Sequence, residues 1–411
     1  MRSFRGDHRA SISMIAALCL LPLALTVGMS IDYIRQAETR DAIQEIADKG
    51  AVLAVSDEHN TKTAAELKAS AESYLKSTAS TNLSIGVDFE VEVAIDLATS
   101  QRRSSVSYKA ELSTTFMGVV GISKLGIGGA ASAVSGLPPD TNFYFLLDTS
   151  DSMGLAATDA ARGSLIALSQ ANGSGSCEFA CHVVRGGSKS LLAIARANNL
   201  KLRIDVAKEG ITKIVSLAQA AAARDGVVNR FALTSMASQL KTVSDLTSDA
   251  SAFSSQLSGV DLGYGTSGLA NTLWESSVPN YLTELARLTA ASNDPNADRI
   301  VVLVTDGLRS QDGGSGKDSN GRPLIRAFDL DQCQAIKDAG YKLAVIYTMY
   351  YDIPYNGWYN TYVKPIRANL GPNLASCATP GLYAVGDTPE QIDAAFETIF
   401  KAMRSFPRVS S

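Results

Sequence analysis

In the run Asp148-Thr149-Ser150-Asp151-Ser152-Met153-Gly154, one carboxylate and two hydroxyls stand at alternate positions. In an extended turn alternate side chains point the same way, so Asp148, Ser150 and Ser152 can converge on one point. Thr305-Asp306-Gly307 offers a second carboxylate, and Gly263-Tyr264-Gly265-Thr266 ends in a further hydroxyl. These are hard oxygen donors, suited to Mg²⁺ or Mn²⁺ and poorly suited to zinc. Two carboxylates and three hydroxyls leave an octahedral ion with an open position. An ion only just neutralised by its own ligands attracts a carboxylate from a partner. Singly, the pieces have ordinary explanations: Asp-x-Ser-x-Ser before a helix is commonly an N-cap, and Thr-Asp-Gly a common turn. Their order and placement give them weight. The cluster contains no His or Lys and no nucleophile beside a base, which argues against enzymatic turnover.

Strands must position these residues. Phe143-Tyr-Phe-Leu-Leu147 and Ile300-Val-Val-Leu-Val304 are near-continuous apolar runs, as expected of strands buried on both faces of a parallel sheet. Asp148 follows the first directly, and Thr305-Asp306 the second. Phe231-Ala-Leu-Thr-Ser and Leu343-Ala-Val-Ile-Tyr347 are shorter and similar. Helical stretches are predicted over Leu202–Ala223, Ser267–Ala290, Leu330–Ala339 and Pro389–Met403. Strands alternating with helices predict an open, doubly wound α/β layer, whose ligands bind at the carboxyl ends of the strands.

Upstream the grammar differs. Ala10 to Ile31 is 22 residues without a charge, enough at 1.5 Å per residue to span a hydrocarbon core of about 30 Å. Arg2, Arg5 and Arg9 precede it, and Asp32, Glu38, Asp41, Glu45 and Asp48 follow. The arginines orient the expected span, with residues 1–9 as a cytoplasmic tail and the rest of the chain outside. A cleaved signal peptide is the rival, but its apolar stretch is normally about 7–15 residues, and Thr26 and Gly28 make a poor cleavage site. Pro22 is tolerable in a membrane helix. From Ile31 to about Ser56 the pattern is one continuous helical rod, and a second helix is predicted through Ala64–Leu75. Residues 83–136 alternate in the manner of strands, as in Ile85-Gly-Val87-Asp-Phe89-Glu-Val91 and Val106-Ser-Tyr108-Lys-Ala110. Pro138-Pro139-Asp140 marks a boundary. The expected domains are therefore a transmembrane helix at 10–31, a helical stalk plus β-rich segment at 32–139, and an α/β domain at 140–407.

The chain has 411 residues, 45% hydrophobic and 19% charged, with 37 Lys and Arg against 41 Asp and Glu, a net −4. The apolar share excludes wholesale disorder. Without a run of Lys or Arg, a nucleic-acid partner is not expected. Cys19 lies in the apolar span. If the chain beyond residue 32 is outside the cytoplasm, Cys177, Cys181, Cys333 and Cys377 can oxidise. Four cysteines permit three pairings, of which Cys177–Cys181 and Cys333–Cys377 are expected. A metal site from Cys177, Cys181 and His182 is the alternative, lacking a fourth ligand. Tyr347 to Tyr362 holds six tyrosines and Trp358, read as a loop packed over the sheet edge, with a protein interface as the alternative. Asp312-Gly-Gly-Ser-Gly-Lys317 lacks the Ser or Thr and the helix of a phosphate loop and reads as a surface loop.

Asp148, Ser150 and Ser152, then Thr266, then Asp306 resemble the metal-ion-dependent adhesion site of von Willebrand factor type A domains. Asp151 stands where that family often has Gly, adding a negative charge. Residues 155–200, carrying Cys177 and Cys181, read as an insertion in the first connection. The resemblance extends to the TadG-like proteins of Flp (tight adherence) pilus assembly, whose TadE/TadG-like head is matched by Ile31-Asp32-Tyr33 and Ile46-Ala47-Asp48-Lys49-Gly50-Ala51. Phe116-Met117-Gly118-Val119-Val120-Gly121-Ile122, Thr266 through Trp274, and Cys333-Gln334-Ala335-Ile336-Lys337 followed by Tyr347-Thr348 are similar to later segments of that family. The resemblance implies a Rossmann-like von Willebrand factor A domain on an inner-membrane anchor. It also implies a non-enzymatic role in pilus assembly or adhesion, with Mg²⁺ or Mn²⁺ gripping an acidic residue of a protein partner. A metal-assisted hydrolase and a structural envelope protein with a vestigial site are the competing functions.

Overall fold

The computed structural model describes residues 8–56, 62–96, 101–179, 189–265, 274–292, 294–310, 324–386 and 388–404. The chain divides into two compact units, Met1–Leu137 and Pro138–Ser411.

In the first unit, α1 (His8–Val55) is one unbroken helix with Pro22 inside it. Near the N-terminus it is long and apolar enough to cross a membrane, and is the one such helix among the described residues. Its last turns carry a different pattern: Ile43, Ala47, Ala51 and Ala54 form a buried stripe at helical spacing. Against this stripe lies α2 (Ala64–Asn82), begun by a capping box between Thr63 and Glu66 and burying Leu67, Ala71, Leu75 and Ala79 at i, i+4. The helix runs on past Leu75 because Ala79 continues the buried face. Three strands form an antiparallel sheet: β1 (Val87–Asp96), β2 (Gln101–Ser113) and β3 (Lys124–Gly136). In register, Val91 faces Val106 and Val106 faces Ala131. Alternate residues of β2 point inward, and three of them bond to α1: Arg102 donates to the Val55 carbonyl at 3.5 Å, Ser104 to the Ala51 carbonyl at 2.7 Å and Tyr108 to Gln44 Oε1 at 2.8 Å.

The second unit begins with β4 (Thr141–Asp148), buried along its whole length. Then come α3 (Asp159–Ala171), α4 (Leu191–Ala197), α5 (Arg203–Asp225), β5 (Asn229–Met236), β6 (Leu240–Thr247), α6 (Ala250–Ser258) and α7 (Trp274–Ala290). They are followed by β7 (Asp298–Thr305), the short ribbon β8 (Leu308–Ser310) and β9 (Ile325–Ala327), and α8 (Leu330–Asp338). The chain closes with β10 (Lys342–Thr348), α9 (Arg367–Cys377), β11 (Tyr383–Gly386) and α10 (Pro389–Arg404). Six strands form one sheet in the order β11-β10-β7-β4-β5-β6, parallel except for β6. This is the doubly wound order, and strand order reverses between β4 and β7.

Alternation along β4 shows why helices are needed on both faces. Phe143, Phe145 and Leu147 pack with Ile211 and Ile214 of α5, Phe253 of α6 and Phe396 and Phe400 of α10. Tyr144 and Leu146 pack with Val278 and Leu285 of α7, Ile336 of α8 and Leu374 of α9. A disulfide joins Cys333 of α8 to Cys377 of α9. Within the stretch read as an insertion, α3 and α4 contribute Ala161, Leu165 and Ala195 to the first of these cores.

Candidate metal centre

The end of β4 leaves Asp148 at the crevice where strand order reverses, and β7 ends beside it in Thr305 and Asp306. Both carboxylates and Thr305 are fully buried, and Ser150 nearly so. After Asp148 the chain stays extended at Ser150 and then makes a 3₁₀ turn, Asp151–Gly154. The sequence therefore delivers alternate side chains to one place, as the spacing predicts. Asp148 Oδ1 accepts from the Ser150 backbone N–H at 3.0 Å, and Oδ2 accepts from the Thr305 hydroxyl at 2.7 Å. Ser150 Oγ and Ser152 Oγ stand 2.8 Å apart. The Ser152 hydroxyl also acts on Asp306, helping to hold its carboxyl down. Asp306 in turn accepts from the Leu308 N–H at 3.1 Å and from the Tyr350 hydroxyl at 2.8 Å.

Asp148, Ser150, Ser152 and Asp306 are thus brought together. Thr266 lies outside the described residues; the loop leading towards it is held near the cluster by Gly263, whose N–H donates to the Thr149 carbonyl at 2.7 Å. Gly263 and Gly265 both have positive φ, 66° and 79°, a conformation that glycine adopts without a Cβ penalty. Cys181 and His182 also lie outside the described residues, and with them both the Cys177–Cys181 pairing and the cysteine–histidine alternative. So does the loop Asp312–Lys317.

Burial and the neighbouring charge of Asp306 push the Asp148 carboxyl up, to about 7. Asp306 is pushed up as well, by burial first, against the Ser152 hydroxyl and the Arg203 guanidinium, which pull it down. Two carboxylates buried side by side resist ionising together. A divalent cation among them reverses that preference, because its own charge becomes the largest in the site. The donors are hard oxygens, and the two serine hydroxyls add ligands without charge, so these residues could hold Mg²⁺ or Mn²⁺. Among the described residues no three His, Cys, Asp or Glu side chains form a metal-holding group; any ion here depends on hydroxyls as well as the two carboxylates.

Three contributors escaped sequence reasoning. Thr305 orients Asp148, although its place within Thr-Asp-Gly at a strand end was a usable signal. Tyr350 orients Asp306 from within the tyrosine-rich stretch. Arg203, 3% exposed at the start of α5, sets its guanidinium 4.6 Å from the Tyr350 ring centre and donates to the Met349 carbonyl. Nothing in the local sequence pointed to Arg203. The tyrosine-rich stretch mostly packs inward: Tyr347, Tyr350 and Tyr359 are buried, whereas Tyr355 is 87% exposed.

No family model and no curated protein matches this chain. Among solved structures it is similar to proximal thread matrix protein 1 from the mussel byssus, at 11% identity over 65% of this chain and 48% of that one, TM-score 0.39. The open conformation of the pilus adhesin SpaC from Lactobacillus rhamnosus GG is similar at 12% identity over 77% of this chain and 34% of that one, TM-score 0.38. The conserved hypothetical protein BatB from Bacteroides thetaiotaomicron is similar at 13% identity over 64% of this chain and 98% of its own, TM-score 0.35. This chain therefore spans less than half of the first two proteins. At such identities and scores these likenesses assign neither a family nor a ligand.

Proposed function

We propose that this chain is a membrane-anchored, non-enzymatic binding protein of the TadG-like kind, with its α/β unit acting as a von Willebrand factor type A domain. Asp148, Ser150, Ser152, Thr266 and Asp306 hold a Mg²⁺ or Mn²⁺ that grips an acidic residue of a protein partner, such as a pilus or envelope component. The observation that carries this reading is the convergence of two fully buried carboxylates with two serine hydroxyls at the sheet's reversal point. In this reading Asp148 and Asp306 supply charge, the hydroxyls supply neutral oxygens, and Thr305 and Tyr350 fix the carboxylates' orientation. The ion, when bound, offers a coordination position to an incoming carboxylate. The cluster as described contains no His or Lys to carry a proton, so binding rather than turnover is proposed.

The test is calorimetry on the full chain in detergent, titrated with Mg²⁺ and with Mn²⁺. One ion should bind with modest affinity. Asp148→Ala should abolish binding because it removes a full charge, whereas Ser152→Ala should only weaken it. Equal binding by wild type and Asp148→Ala rejects the assignment.

A further inference from the structure

Between Glu111 and Lys124 the chain carries no charge for 12 residues, 112–123. Near its middle the 3₁₀ turn Met117–Val120 displays apolar side chains outward: Phe116 is 40% exposed, Val119 76%, Val120 48% and Ile122 43%. Such an exposed group marks an interaction surface rather than a core.

Its position along α1 is fixed. Phe116 covers Gly28, where an added Cβ would stand 2.7 Å from Phe116 Cβ. Gly28 lies three residues before Ile31, about 4.5 Å along the helix axis inside the uncharged span. The Asp32 carboxylate, first charge after that span, accepts from the backbone N–H groups of Thr115, Phe116 and Met117 at 3.0, 2.7 and 2.8 Å. Arg35 donates both to Asp32 and to the Thr115 hydroxyl. The turn is thereby held at the level where α1 passes from apolar to charged, next to the exposed Val27 and Ile31 of α1 itself.

The turn's backbone is also prepared for a poor solvent. The N–H groups of Phe116 and Met117, and that of Thr115 just before them, are taken by Asp32. Val119 donates to the Phe116 carbonyl, Gly121 to Gly118 and Ile122 to Met117, all at 3.0–3.1 Å. An apolar tip most of whose N–H groups are already bonded suits lipid, where an unsatisfied backbone group costs several kcal/mol.

We infer that the Phe116–Ile122 turn inserts into the interfacial layer of the bilayer that α1 crosses, giving the anchor a second lipid contact. The inference rests on the reading of α1 as a membrane anchor. Continuity with the uncharged face of α1 selects lipid as the occupant. The charged pair Glu111–Lys124, joined at 2.6 Å where β2 ends and β3 begins, marks the return to water.

The test uses the full chain reconstituted into phosphatidylcholine–phosphatidylglycerol vesicles containing a lipid with a photoactivatable diazirine in its acyl chain. After irradiation, adducts are mapped by mass spectrometry of proteolytic peptides. Adducts are expected in peptides from 10–31 and also in 110–124. A Val119→Asp/Val120→Asp variant, altered only at exposed positions, should lose at least tenfold of the adducts in 110–124 while keeping those in 10–31. Adducts confined to 10–31 overturn the inference and leave the anchor standing. Their absence from both peptides overturns the anchor reading itself.

Discussion

Gly210 lies where α5 meets α10, and a Cβ added there would come within 2.1–2.5 Å of the Phe396 ring. Phe396 is fully buried, so the ring has nowhere to swing. Two effects compete in Gly210→Ala. Helix propensity favours alanine by about 1 kcal/mol, whereas overpacking a filled core costs about 1–3 kcal/mol. Overpacking wins here, because the clash is with a ring held on all sides. Gly163, exposed within α3 and with nothing within 4 Å of its added Cβ, feels only propensity. The urea midpoint should therefore fall in Gly210→Ala and rise slightly in Gly163→Ala; a rise in both shows that α5 and α10 are not in such close contact. The same contrast between local and tertiary control governs what the sequence reveals of the site. Asp148 and Asp306 were legible because each directly follows a continuous apolar strand, so the strand alone fixes where the carboxylate emerges. Tyr350 and Arg203 reach the site through packing of segments far apart in sequence, which no local pattern encodes.

At the scale of elements, Asp32 fastens the turn after β2 to α1. Burial tends to raise its carboxyl, but the N–H groups of Met117, Thr115 and Phe116, with Arg35, outweigh that and hold it below its ordinary 3.8. A depressed folded-state pKa adds stability above the unfolded value and loses it as pH falls through the folded value. Asp32→Asn should therefore lower the denaturation midpoint of the detergent-solubilised chain at pH 7. The gap to wild type should close as the pH drops below about 3.8. A gap independent of pH means that the charge of Asp32 is not what holds the turn. The disulfide acts on a larger loop. Linking Cys333 to Cys377, 44 positions apart, stabilises by roughly 4 kcal/mol in the chain-entropy account. The double variant Cys333→Ala/Cys377→Ala should melt up to roughly 10 °C lower. Because Tyr350 lies inside that loop and bonds to Asp306, metal affinity should weaken as well. An unchanged melting temperature shows that the bridge does not constrain α8 and α9. These elements were unequally visible beforehand. The central strands announced themselves as apolar runs. Edge strand β6 carries Lys241, Ser244 and Asp245 and is only partly buried, so it lacked that signal. Helix α9 contains Gly371-Pro372, a breaker pair by local preference; burial of Leu370, Leu374 and Cys377 overrides it.

For the whole molecule, the proposed anchor raises the question of which side of a membrane carries the α/β unit. Arg2, Arg5 and Arg9 before the span and the acidic residues after it favour a cytoplasmic N-terminus. The Cys333–Cys377 bridge points the same way, since disulfides persist in oxidising compartments and are rare in the cytosol. Cleavage near Met29 would remove Gly28 from beneath Phe116 and leave that ring uncovered on one side, so retention of the helix and integrity of the first unit go together. A reporter enzyme active only in an oxidising compartment, fused after Asp140, should therefore be active in cells. Mass spectrometry of the membrane fraction should find the N-terminus intact. Reporter activity together with a mature chain beginning near Met29 would mean that the apolar stretch is a signal peptide. The α/β unit would then be released rather than tethered. An inactive reporter on an intact chain would place that unit in the cytoplasm and overturn the proposed orientation.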